Sequence, residues 1–147
     1  MAVLKRDFLP QNLEPILVKH QIDGCVAVQA DQSKEETSFL IDLAEKHDFI
    51  KGIVGWVDLQ AKDLEEQLSS YSENKWIKGF RHVLQDEPDN EFILQTEFIN
   101  GLGKLSKFDF TYDILIFPKQ LTSATKAVRL LPNQKFVLDR HGYLNRR

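Results

Sequence analysis

The centre of the chain reads Lys78-Gly79-Phe80-Arg81-His82-Val83-Leu84-Gln85-Asp86-Glu87-Pro88-Asp89. A short apolar strand pattern leads here directly into a polar loop. Arg81 and His82 stand at the predicted strand end, so an anion-binding guanidinium and a proton-transfer group lie beside an amide and several carboxylates. This mixture of groups indicates a functional site. The alternative is a surface ion-pair network, in which Arg81 and His82 pair with the loop carboxylates.

Strand and helix patterns alternate on both sides of this stretch. Apolar runs typical of strands occur at residues 24–30, 53–59, 78–84, 110–117 and 136–139, and apolar residues at helical spacing lie between them. Ser33 followed by Glu36 is a capping-box pattern at the start of one such helix. Successive strands begin roughly 25 to 32 residues apart, the span that a helical crossover between parallel strands requires. The sequence therefore predicts an α/β fold of alternating βα units with a parallel sheet.

Two architectures fit this alternation: an open doubly wound sheet and part of a (β/α)8 barrel. Both bind ligands at the carboxyl ends of their strands. Polar side chains follow the predicted strands there, namely Gln29, Asp58, Arg81 with His82, and Asp139. We expect these groups to converge on one opening.

The doubly wound alternatives each lack a feature. No spaced glycines follow the first predicted strand, where the sequence reads Asp31-Gln32-Ser33, so the phosphate-binding loop of a Rossmann-type domain is missing. A receiver-like domain would use Asp58 as its acceptor carboxylate. It would also need an acidic pair near its first strand, which this sequence does not have there.

Length, charge and cysteine content narrow the class of protein. The 147 residues predict one domain, residues 1–147. A net charge of −3 with interleaved signs gives no attraction to nucleic acid or to an anionic membrane surface, so neither partner is expected. The single cysteine, Cys25, has no disulfide partner. Together with the lack of a signal peptide pattern, this predicts a cytoplasmic protein.

Other titratable residues give weaker signals. His20 and His47 each follow a helical pattern and are expected at helix C-termini in solvent, where an imidazolium is favourable. Asp113 lies within a predicted strand, either as a buried partner of a neighbouring Arg or His or as a structural carboxylate. Asp86, Glu87 and Asp89 form an acidic loop without histidines at fixed spacing, so a solvated loop is favoured over a metal site.

Several segments resemble, in order and spacing, the amidohydrolase-related family of TIM-barrel hydrolases, and in particular its sugar-lactone hydrolases of the L-fuconolactonase and L-rhamnonolactonase type. The most specific is the central stretch quoted above. The others are Leu4-Lys5-Arg6-Asp7-Phe8-Leu9-Pro10, Asp23-Gly24-Cys25-Val26-Ala27-Val28-Gln29-Ala30, Gly55-Trp56-Val57-Asp58-Leu59 and Phe136-Val137-Leu138-Asp139. The resemblance covers nearly the whole chain up to Asp139.

The resemblance implies a hydrolase acting on a cyclic ester such as a sugar-acid lactone, with a small-molecule substrate. It implies that Arg81, Gln29 and Gln85 bind substrate, and that His82, Asp139 and His141 are catalytic. For full-length members of the family it implies a divalent metal such as zinc. Whether this chain requires a metal is left open.

The sequence also departs from the family pattern. No His-x-His pair begins the chain, and the sixth-strand signature Leu-Asp-His reads Leu138-Asp139-Arg140-His141, which displaces His141 by one position. We therefore expect a partial TIM barrel covering strands two to six, with impaired hydrolysis. An open arc of this kind leaves two sheet edges exposed. The alternative function is accordingly a non-catalytic module that forms a homo-oligomer through those edges.

Overall fold

The computed structural model describes residues 7–141, and for residues 140 and 141 it describes the backbone alone. Helices and strands alternate along the chain. The helices are α1 (Pro10–Lys19), α2 (Lys34–Lys46), α3 (Leu64–Ser72), α4 (Thr96–Leu105) and α5 (Leu121–Leu130), and the strands are β1 (Cys25–Val28), β2 (Ile50–Gly55), β3 (Ile77–Val83), β4 (Thr111–Ile116) and β5 (Phe136–His141).

The five strands form one sheet in the order β1-β2-β3-β4-β5, and every neighbouring pair is parallel. A doubly wound sheet reverses its strand order at a switch point, whereas this order runs straight through the chain. The sheet curls into a half-barrel, and helices alternate with its strands along the chain. This confirms the predicted partial TIM barrel.

The two faces of the sheet differ in character. Alternate strand residues such as Ile53, Phe80 and Ile114 are buried in a core that includes helix residues such as Leu68 and Leu102. This is the convex face, because βα crossovers of one hand between consecutive strands put α2, α3, α4 and α5 on the same side. The residues between them face the concave side, which is where a barrel fold gathers polar groups at the strand ends.

The second strand lies earlier in the chain than predicted: β2 is Ile50–Gly55, and residues 56–59 belong to the loop that follows it. The apolar character of this loop has a packing origin, since Val57 and Leu59 are 2% and 4% exposed. The backbone of Trp56 is held by a side chain, with its N–H donating to Thr37 Oγ1 at 3.0 Å. A buried loop can thus have the same apolar sequence pattern as a strand.

Gly101 of α4 allows that helix to lie directly on the buried loop. A Cβ atom at this position would come within 1.9 Å of the Leu59 carbonyl oxygen. Gly103 has ordinary space around it, since the nearest atom to a Cβ added there would be Leu131 Cδ2 at 3.4 Å. Of the two glycines in this helix, only Gly101 is therefore required by close packing.

Helix starts follow the predicted chemistry in part. The Glu36 N–H donates to Ser33 Oγ at 3.2 Å, as the capping pattern predicts. The Glu36 carboxylate does not return to Ser33 and instead accepts hydrogen bonds from the N–H groups of Ala30 and Asp31, at 2.8 and 2.5 Å. It thereby holds the loop after β1 in place.

Buried glutamines connect consecutive βα units. Gln120 donates from Nε2 to the Leu84 carbonyl at 2.5 Å, across the carboxyl ends of β3 and β4. Gln134 donates from Nε2 to the Phe110 carbonyl at 2.9 Å, at the opposite end of the sheet. The two glutamines are 3% and 7% exposed, and each satisfies a loop carbonyl that a neighbouring strand does not reach.

Apolar side chains are exposed along the two outer strands. At the β1 edge, Val26 of the strand and Ile16 of the preceding helix α1 are both 52% exposed, and at the β5 edge Val137 and Leu138 are 45% and 52% exposed. Among residues 7–141, none of the helices has the length and apolar character needed to cross a lipid bilayer.

Candidate active site

Arg81 of β3 is the centre of a polar cluster on the concave face. Its Nη1 donates to the carboxylate of Asp139 in β5, and its Nη2 donates to the backbone carbonyl of Gln29. A weaker contact joins Nη2 to Gln29 Oε1 at 3.4 Å. The Arg81 and Asp139 side chains are only 14% and 30% exposed, so this ion pair is partly shielded from water. Three strands thus contribute to one cluster.

Gln29 follows β1 and is fully buried. Its backbone N–H donates to the Val54 carbonyl at 2.9 Å, and its side-chain Nε2 donates to the Arg81 carbonyl at 3.0 Å. Gln29 and Arg81 therefore each donate to the other's backbone carbonyl. This reciprocal pairing limits the movement of both side chains and holds the guanidinium in one orientation.

A hollow of about 300 Å³ opens beside this cluster and is lined by Arg81, Gln85, Leu115 and Asp139. Gln85 lies in the short turn Leu84–Asp86 that directly follows β3. A guanidinium, an amide and a carboxylate around a small opening can bind carbonyl or carboxylate oxygens and hydroxyl groups. Among the described residues, a larger hollow of about 450 Å³ between α1 and β1 is lined by apolar side chains and Asn12, which offer no comparable chemistry.

His82 lies on the other side of β3. Successive strand residues point to opposite faces, so the sequence neighbours Arg81 and His82 are separated by the sheet. The His82 ring stacks on Phe92, with ring centroids 5.3 Å apart, and meets the edge of Phe98. Arg81, Gln29, Gln85 and Asp139 are brought together, and His82 is not part of their cluster.

Both ring nitrogens of His82 have partners. The indole N–H of Trp56 donates to Nδ1 over a long 3.5 Å, and Nε2 lies 2.6 Å from Glu87 Oε1. An indole nitrogen can only donate, so Nδ1 acts as the acceptor and the proton lies on Nε2, facing Glu87. His82 thus connects the polar loop after β3 to the strand. Its catalytic role remains a prediction.

The contact between His82 and Glu87 can be tested by paired variants. We expect His82→Phe and Glu87→Ala each to speed amide hydrogen exchange in residues 84–95 by about tenfold, because either change removes the partly buried hydrogen bond between the two side chains. The double variant should exchange no faster than the faster single variant. Asp86→Asn, an exposed change in the same loop, is the matched control. Additive effects of the two changes would contradict this role.

Asp113 of β4 lies beside the cluster and is 6% exposed. Burial is the main cause that raises its pKa to about 6, and the negative charge of Asp139 raises it further. Arg81 and a hydrogen bond with Thr111 oppose this rise. The sequence left a buried charge partner and a structural carboxylate as alternatives for Asp113. Arg81 is its register partner in β3, but Arg81 forms its ion pair with Asp139 and Oδ1 of Asp113 has no hydrogen-bond partner among the described residues, so both alternatives stay open.

The remaining predicted residues lie apart from the cluster or outside the described part of the chain. His20 and His47 are the C-cap residues of α1 and α2, as expected, but only His20 is exposed to solvent, since His47 is half-buried with its ring centroid 5.7 Å from that of Phe49. Asp58 is exposed in the loop after β2, where it accepts a hydrogen bond from the Gln60 N–H at 2.9 Å. The backbone of His141 ends β5, but its side chain lies outside the described residues.

A divalent metal does not fit the described side chains. Among the side chains of residues 7–139, no three or more His, Cys, Asp or Glu are grouped so that they could hold a metal ion. Asp113 and Asp139 lie close to a guanidinium, which supplies the positive charge in this cluster. No catalytic step through a metal is therefore derived from these residues.

Known proteins resemble the chain in sequence. A family model described as Amidohydrolase matches residues 2–146. The L-fucono-1,5-lactonase of Burkholderia multivorans (strain ATCC 17616 / 249) is 40% identical over 143 residues, covering 97% of this chain and 48% of that protein. A second L-fucono-1,5-lactonase, from Burkholderia ambifaria, is 31% identical over 139 residues, covering 95% and 48%.

Solved structures agree with these matches. A Burkholderia multivorans amidohydrolase with bound Zn superposes with a TM-score of 0.88 at 36% identity, covering 94% of this chain and 49% of that one. Amidohydrolase 2 from Bifidobacterium longum subsp. infantis has the same fold at 17% identity, with a TM-score of 0.71 over 99% and 56% of the two chains.

The chain spans about half the length of the curated relatives that it matches. The matching part includes all five strands and the cluster around Arg81. The family model, the relatives and the half-barrel architecture agree with each other. On these grounds the chain belongs to the amidohydrolase family.

Proposed function

We propose that the protein hydrolyses a sugar-acid lactone of the L-fucono-1,5-lactone class. The observation that carries the proposal is the cluster of Arg81, Gln29 and Asp139 beside a hollow of about 300 Å³. A six-membered sugar lactone presents a ring carbonyl and several hydroxyl groups. The guanidinium of Arg81 matches the carbonyl, and the amide of Gln85 matches a hydroxyl group. The two relatives named L-fucono-1,5-lactonase support this substrate class.

The reaction follows from the chemistry of these groups. Asp139 takes a proton from a water molecule as the water oxygen attacks the ring carbonyl carbon. Arg81 stabilises the negative charge that develops on the carbonyl oxygen. When the bond from the acyl carbon to the ring oxygen breaks, Asp139 returns the proton to the ring oxygen. The products are the open-chain hydroxyl group and a carboxylic acid, which loses its proton to water.

The amide of Gln85, which lines the hollow, orients the sugar in this scheme by binding a hydroxyl group. Gln29 was also predicted to bind substrate, but it is fully buried and instead holds Arg81 in place. His82 and His141 were also predicted to be catalytic, but neither takes part in the steps described here. The binding of zinc to a Burkholderia multivorans relative supports metal use in the family, and it gives no ligand set for the described residues of this chain. The single cysteine, Cys25, supports location in a reducing compartment such as the cytoplasm.

The test is hydrolysis of a panel of sugar-acid lactones by the purified chain, followed as acid release with a pH indicator and corrected for spontaneous ring opening. We expect L-fucono-1,5-lactone to be hydrolysed faster than acyclic esters of the same acid. Only the ring holds the hydroxyl groups at fixed positions relative to the carbonyl, so that both can be bound at once. Rates equal to those in buffer for every lactone would refute the proposal.

The exposed apolar side chains at the β1 and β5 edges favour a second candidate, a module that associates through its sheet edges. Sedimentation of the same preparation separates the two. A concentration-independent dimer without hydrolysis would favour association as the function, and hydrolysis by a monomer would exclude it.

A further inference from the structure

Asp113 and Arg81 face the same hollow side of the sheet. They are directly opposite each other in the register of β3 and β4, so both follow the same phase of the strand pleat. Asp139 lies on the other neighbour of β4 and pairs with Arg81. Two carboxylates, one from β4 and one from β5, thus share the field of a single guanidinium.

The hydrogen bonds in this group are unevenly distributed. Nη1 and Nη2 of Arg81 are occupied by Asp139 and Gln29. Within the described residues, Arg81 Nε and Asp113 Oδ1 are both buried without a hydrogen-bond partner. Buried donors and acceptors are normally satisfied, so an unpaired donor and an unpaired acceptor on register partners indicate a functional arrangement.

We infer that Asp113 is a positioning residue for Arg81, and that the proton on Asp113 controls how strongly Arg81 holds an anionic ligand. The inference rests on the proposed function in one respect, namely that Arg81 is a ligand-binding group. Asp113 itself does not touch the ligand, since its Oδ1 is buried. Asp113 acts through the electrostatic effect of its own charge on the Arg81 guanidinium.

The direction of the effect follows from the charges present. Among the described side chains, Arg81 on β3 and Asp139 on β5 are the charged groups that face Asp113 from the neighbouring strands. When Asp113 is protonated, Arg81 and Asp139 balance each other. When Asp113 ionises, the group gains a net negative charge and attracts an anion less. Because burial raises the pKa of Asp113 to about 6, we expect this change between about pH 5 and pH 7.

Binding of L-fuconate, the open-chain product of the proposed reaction, tests this by calorimetry at pH 5.0 and 7.5. We expect wild-type affinity to fall roughly five- to tenfold between these pH values. Asp113→Asn should retain the tight binding of low pH at both. Asp109→Asn, at an exposed position at the opposite end of β4, should behave like wild type. A variant at Asp113 that keeps the wild-type pH dependence would overturn the inference.

A second measurement needs no ligand. A carboxyl group whose folded pKa is raised contributes stability that is present below the pKa of the unfolded state and lost as pH rises through about 6. Asp113→Asn should therefore raise the Tm at pH 7.5 and leave it nearly unchanged at pH 4. If Asp113 acts through Arg81, this gain should be larger in an Arg81→Gln background.

The two measurements separate failure of the inference from failure of the proposed function. If L-fuconate binds at neither pH, Arg81 is not its ligand-binding group and the proposed function is in doubt. The double-variant cycle still decides whether Asp113 and Arg81 are coupled. Equal gains from Asp113→Asn in both backgrounds at pH 7.5 would overturn the inference.

Discussion

Arg81→Gln is expected to lower kcat/KM for L-fucono-1,5-lactone by about two orders of magnitude. In the proposed reaction the guanidinium stabilises the oxyanion, and a neutral amide supplies neither its charge nor its paired donors. The change also removes the donors to Asp139 and to the Gln29 carbonyl. Rates measured over a range of lactone concentrations should show the loss mainly in kcat, because the charge develops in the transition state.

Two further variants separate chemistry from folding. Arg81→Lys keeps the charge but loses the planar fork, so it should recover only part of the activity. Arg129→Gln removes an exposed arginine on α5, outside the cluster, and should leave kcat unchanged. Circular dichroism and the Tm of each variant check that the fold is retained. A kcat/KM within threefold of wild type for well-folded Arg81→Gln would exclude Arg81 from the reaction.

Gly101→Ala is expected to lower the free energy of unfolding by about 3 kcal/mol, at the upper end of the range for overpacked cores. The added Cβ would lie 1.9 Å from the Leu59 carbonyl oxygen and 2.8 Å from its carbonyl carbon, so helix and loop must separate. Both contacts are with backbone, which cannot move aside as a side chain end can. Since α4 carries the buried Phe98 and Leu102, its displacement would also disturb the core.

Gly103→Ala is the matched control in the same helix. Its Cβ would meet Leu131 Cδ2 at 3.4 Å, which is ordinary contact, and alanine favours the helix by up to about 1 kcal/mol. Urea denaturation of the two variants measures both effects. Equal stability of the two variants would show that α4 can move away from Leu59 without loss.

The order of elements could be predicted from sequence because the apolar periods are clear, and the parallel half-barrel follows from that order. The residues at which each strand begins and ends could not be predicted from sequence. Residues 56–59 have a strand-like composition because Val57 and Leu59 are buried, and Leu59 lies against Gly101 of α4, much later in the chain. Local pattern does not distinguish burial by a helix from burial in a sheet.

The candidate site shows the same limit. Polar residues at strand ends identified Arg81, Gln29 and Asp139, which do meet. His82 has equal claim by sequence, but the pleat directs it to the aromatic residues on the convex face. For Asp113 the sequence left two alternatives, because the role of a single carboxylate within an apolar strand depends on its register partner, which the sequence does not show.

The buried glutamines at both ends of the sheet have a consequence for how the protein tolerates its surroundings. Gln120 and Gln134 join neighbouring units through amide groups, which neither gain nor lose a proton and are not screened by dissolved ions. We therefore expect the glutamine hydrogen bonds between neighbouring βα units to persist in acid or in concentrated salt. Such conditions would alter the charged opening and leave the framework beneath it in place.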